Sequence, residues 1–124
     1  MKFKTIMLLM FSGLAVSSCA PSPKRAATKF MDNLKDKKFV AAAECCGVSK
    51  DKASLDLMTA MLEEGYGMQD NTVRAFVVTG DSIFPDRQGA VVTMNILYTD
   101  MHREDSVVLK LRTMNGRWIV QPFQ

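Results

Sequence analysis

Between Gly89 and Phe123 the chain falls into three apolar runs of strand length separated by turn residues. In the first run Val92, Met94, Ile96 and Tyr98 share a face and Thr93 and Asn95 take the other; in the second Val107, Leu109 and Leu111 oppose Lys110 and Arg112. Side chains alternate along a strand, so this period of two predicts one buried and one wet face. Asn115-Gly116 joins the second run to the third, and that dipeptide favours the tight turn matching strand twist. In the closing strand Trp118 and Val120 are expected on one face and Ile119 and Phe123 on the other, with Pro122, which has no N–H to donate, at an edge or at the strand's end. Asn71-Thr72 opens an earlier strand in which Val73, Ala75 and Val77 alternate with Arg74, Phe76 and Val78. Gly80-Asp81 predicts a bulge or bend, beyond which Ser82-Ile83-Phe84 offer a continuation.

Upstream the period changes. Ser22 is placed to cap a helix with Pro23 at its first position, and Ala27, Phe30, Met31 and Leu34 then follow the i, i+3, i+4, i+7 spacing of one helical face. Phe39, Ala42, Ala43 and Cys46 repeat it in a short Ala-rich helix that Gly47 stops. Ser49 is the expected cap of a third helix with Leu55, Met58, Thr59 and Leu62 as its stripe, ended by Gly65-Tyr66-Gly67. Helices first and consecutive antiparallel strands after them predict an α+β fold of three helices and about four strands, with the helices on one face of the sheet.

The first residues belong to a different class of signal. Lys2 and Lys4 precede an apolar segment from Ile6 to Val16, too short to span a bilayer. Val16-Ser17-Ser18-Cys19 closes it and resembles the lipobox of bacterial lipoproteins, in which the cysteine becomes the lipidated first residue. The resemblance implies a signal peptide over residues 1–18, acylated Cys19 with a Pro-stiffened tether over 19–23, and one domain over 24–124. Two or three acyl chains, at about 0.8 kcal/mol per buried CH₂, give stable anchoring. The expected address is the cell envelope, lipid-anchored, at the outer membrane of a Gram-negative bacterium.

Processing changes the charge balance. Losing Lys2 and Lys4 leaves 14 of the 16 basic residues against 13 acidic ones in a chain of 106 residues. A nearly neutral domain has no excess charge with which to hold nucleic acid. Apart from Cys19 the cysteines are the adjacent pair Cys45 and Cys46, whose side chains would diverge by about 100° on a helix, and they read as small buried thiols. Met58, Met61 and Met68 bring sulfur donors of the kind copper(I) accepts, yet methionines at helical spacing usually fill cores, and neither metal nor cofactor is expected. His102 lies in the polar stretch Asp100-Met101-His102-Arg103-Glu104, and Asp81 and Asp100 fall at expected turns. No acid is expected on the core face of a strand, and no catalytic grouping stands out.

The helix containing Ala26-Ala27-Thr28-Lys29-Phe30-Met31-Asp32-Asn33-Leu34, the stretch from Lys35 to Glu44, and the ending Met114-Asn115-Gly116-Arg117-Trp118-Ile119-Val120 together resemble small lipoproteins of unknown function with a cystatin-like, or nuclear-transport-factor-2-like, fold. That resemblance implies a cone, in which helices pack on the concave face of a curved sheet and leave a pocket at the open end. The family includes isomerases, dehydratases and many non-catalytic binding modules, so fold does not fix function. The expected function is a membrane-tethered, non-catalytic binding module that recognises a small apolar ligand or an envelope protein through Phe30, Tyr66, Met94, Tyr98 and Trp118. The alternatives are an accessory subunit using its sheet face, signalled by exposed Val91, Leu97 and Ile119, or an isomerase-type enzyme. The same face offers a route to a homodimer.

Overall fold

The computed structural model describes residues 22–48, 51–67, 72–99 and 104–122. Cys19 and the leader, Ser49, Met68, Asp100, His102 and Phe123 lie outside the described residues. Three helices, α1 (Pro23–Lys35), α2 (Phe39–Glu44) and α3 (Lys52–Tyr66), precede four strands, β1 (Val73–Ile83), β2 (Gly89–Tyr98), β3 (Glu104–Met114) and β4 (Arg117–Gln121). The strands form one antiparallel meander in chain order.

α1 starts as its sequence requires. Ser22 Oγ accepts from the Arg25 N–H at 3.2 Å, and Pro23 stands where a missing N–H costs nothing. The predicted stripe of Ala27, Phe30, Met31 and Leu34 is fully buried and lies on the concave face of the curved sheet, against β1, β2 and β4. Each large side chain removed from water there contributes roughly 1.5–3 kcal/mol. β2 supplies the opposing surface with strict alternation: Ala90, Val92, Met94, Ile96 and Tyr98 are buried and the residues between them half-buried.

Several local expectations are corrected. α2 has only six residues, and the turn after it carries Cys45 and Cys46 to Gly47 at φ +81°. Asp51 caps α3, its carboxylate accepting from the Ser54 hydroxyl at 2.7 Å and the Ala53 N–H at 3.1 Å. α3 is the least embedded helix, with Leu62 alone fully buried and Leu57 63% exposed.

In β1 the extra residue at Arg74 shifts the register, so Val73 faces the core while Ala75 and Val77 turn outward and Phe76 and Val78 take the inner positions. A second shift between Val78 and Gly80 is the predicted bulge, and β1 runs through it to Ile83. Asp81 therefore sits in a strand, opposite Val92, rather than at a turn. β4 buries Trp118, Ile119 and Val120 together. Ile119, expected on the open face, is covered because α2's trailing turn wraps the β4 edge: the Val120 N–H donates to Cys45 O at 3.0 Å, and Ile119 Cδ1 lies under Gly47.

Candidate functional site

The five residues nominated for the cone come together in and against the buried core. Phe30, Met94, Tyr98 and Trp118 belong to one buried cluster, and Tyr66 is half-buried against it at the end of α3. Burial pushes the Tyr66 hydroxyl pKa up, and Tyr98 and Cys46 nearby add to the effect. Among the described residues, concavities lie elsewhere on the surface. One, of about 470 Å³, runs from Lys37 along α2 to Thr59 and Glu63. Another, of about 280 Å³, lies beside β4 and is lined by residues that include Cys46, Met58, Met61, Arg112, Ile119 and Gln121. None of the five nominated residues lines either.

Acids do occupy inward positions of the sheet, contrary to expectation. Asp81 pairs with Val92 and Asp105 with Ile96, and residues paired across an antiparallel ladder share a face. The bulge changed the parity of Asp81, and β3 begins two residues before Ser106, which brings Asp105 into the ladder. Asp81 is exposed and Asp105 half-buried, so neither is a carboxylate enclosed in an apolar pocket. Cys45 and Cys46 are both buried.

The outer face of the sheet is the feature that packing leaves open. Val77 on β1 and Val108 on β3 are 63% and 56% exposed. Between and around them stand Thr79, Thr93, Asn95 and Ser106, with Val91 and Leu97 half-buried on β2. The Thr79 and Thr93 hydroxyls bond to each other at 3.1 Å. Among the described residues, charge enters at its ends, where Glu104 pairs with Leu97 and Lys110 with Val91. A valine at the wet parity of β3, between Ser106 and Lys110, is the signal the sequence carries for it.

No family model and no curated protein sequence matches the chain. A solved structure does: a Campylobacter jejuni protein provisionally named an NTF2-like transpeptidase superposes with a TM-score of 0.55 at 14% sequence identity, covering 80% of this chain and 96% of that one. The fold is NTF2-like. In that NTF2-like frame α1 fills the concave side of the sheet, and the outer side carries the uncovered valines.

Proposed function

We propose that this NTF2-like domain is a lipid-anchored, non-catalytic interaction module of the bacterial envelope that engages an envelope protein through the outer face of its sheet. One observation carries the reading: Val77 and Val108 stand exposed on the outer face among Thr79, Thr93, Asn95 and Ser106, with Glu104 and Lys110 towards its two ends. An apolar centre with a polar rim is how protein interfaces are built. The reading is favoured over a small apolar ligand because Phe30, Met94, Tyr98 and Trp118 belong to the buried core and line neither concavity. The anchor rests on the lipobox resemblance at Cys19. The C. jejuni protein's provisional name describes a transpeptidase, and at 14% identity its fold alone transfers.

The test places a photo-crosslinking residue at Val108 or at Asp86, in the β1–β2 turn, in the full chain within intact envelopes. The expected result is one discrete adduct from position 108, none from 86, and loss of the adduct when Val77→Lys is added. Equal labelling from both positions, or an adduct indifferent to Val77→Lys, overturns the reading. An adduct of twice the chain's mass makes the partner a second copy. Mass spectrometry of the mature amino terminus checks the anchor separately: an unacylated Cys19 removes it.

A further inference from the structure

α1 and the turn after it carry charge that the fold does not use. From Ser22 to Lys38 the chain has six basic residues, Lys24, Arg25, Lys29, Lys35, Lys37 and Lys38, against Asp32 and Asp36, whereas residues 39–124 have eight basic and eleven acidic ones. A domain close to neutral as a whole is therefore polarised, positive at its first helix and negative over the remainder. All eight of these charged side chains are exposed. At about 100° per residue those within α1 fall in an arc of about 140°, opposite the stripe of Ala27, Phe30, Met31 and Leu34 that faces the sheet. Nothing in the helix favours this arrangement. Lys24 and Arg25 stand in the first turn, where no acid accompanies them and the helix dipole repels cations, and Arg25 and Lys29 are like charges one turn apart. Among the described residues the ion pair joins Lys52 and Asp56, so none of the six is held by one.

We propose that α1 lies flat on the membrane, its basic face against anionic phospholipid headgroups, a placement that rests on the lipid anchor at Cys19. Charge and reach decide the occupant. Cys19 is four residues before Pro23, a reach of at most about 14 Å for an extended chain, so the tether brings headgroups to every copy of this helix. α1 is about 20 Å long, and attraction between exposed charges survives physiological salt over only about 8 Å. An upright helix would carry Lys35 out of range; a flat one keeps Lys24 and Lys35 in range together. The apolar stripe of α1 is spent on the sheet, so the contact is electrostatic and inserts nothing into the bilayer. Val77 and Val108 lie on the other side of the sheet from α1, and this orientation turns them to the aqueous side, where a protein partner can reach them.

The full chain, purified from membranes, is reconstituted in phosphatidylcholine vesicles with or without about 30 mol% phosphatidylglycerol and treated with a membrane-impermeant amine-acylating reagent. Peptide mass spectrometry then reads each lysine. With the anionic lipid, Lys24, Lys29 and Lys35 should lose reactivity together by at least about fivefold, the factor one basic residue contributes at such a surface, while Lys110 on the outer sheet face keeps its own. Salt at about 0.5 M should restore them by screening. Lys29→Gln combined with Lys35→Gln, both at exposed positions, should return Lys24 to the reactivity it has on neutral vesicles. Equal reactivity in the two vesicles, protection of Lys24 without Lys35, protection that salt does not lift, or protection of Lys110 overturns the proposal. The same digest reads the anchor: an unacylated Cys19 removes the tether and this placement with it, whereas an acylated chain with unprotected α1 lysines removes the placement alone.

Discussion

At Tyr66 burial and charge act in the same direction. Removal from water disfavours the phenolate, Tyr98 and Cys46 add to that, and the hydroxyl pKa stands above the ordinary 10.0. The folded chain therefore holds this proton more tightly than the unfolded chain. Its contribution to stability is complete below about pH 10 and is lost as pH rises through the folded value. Tyr66→Phe should accordingly flatten the alkaline fall in thermal midpoint and leave the acid side unchanged; an alkaline limb identical to that of the unaltered protein would contradict this. The position of Tyr66 between Gly65 and Gly67, at the junction of helix and sheet, was legible in the sequence. Its proximity to Tyr98 was not, because the two lie on separate elements that only the folded chain brings together.

The α2 turn and β4 show what one backbone conformation holds in place. Gly47, at φ +81°, lets the chain turn so that Cys45 O meets the Val120 N–H and covers the outer edge of β4. A Cβ there would stand 2.8 Å from Ile119 Cδ1, whereas at Gly116, φ +78°, it would meet nothing within 4 Å. Left-handed backbone alone costs an L-residue roughly 1–2 kcal/mol. Gly116→Ala should lose about that much in urea unfolding and Gly47→Ala more, because Ile119 must also shift. Equal losses would mean that the clash relaxes freely. The same element explains why periodicity misplaces Ile119: strand parity puts it on the open face, and a turn from another part of the chain covers it. Arg74 is the comparable case in β1, where one unpaired residue reverses the faces of Ala75, Phe76 and Val77.

Across the whole molecule, α1 and the outer sheet face make opposite predictions. Phe30 is fully enclosed between helix and sheet, so Phe30→Ala should cost about 3–5 kcal/mol, a large share of the roughly 5–15 kcal/mol that holds a domain folded. Val77 and Val108 bury little, and replacing both with lysine should leave the urea midpoint nearly unchanged while abolishing capture of the partner. Similar destabilisation by the two changes would show that the outer valines serve the fold rather than an interface.

The sequence by itself determined the features set by local periodicity and turn chemistry: the α1 stripe, the alternation in β2 and β3, the Asn115-Gly116 turn and hence the α+β order of elements. These depend on neighbours within a few residues, and one chain contains all of them. Tertiary structure alone decided the bulge that turned Val77 outward, the covering of Ile119 and the gathering of Phe30, Met94, Tyr98 and Trp118 into one buried cluster. Each of these sets residues from separate elements against one another, and which surface stays in water depends on how the elements pack rather than on the pattern within any one of them.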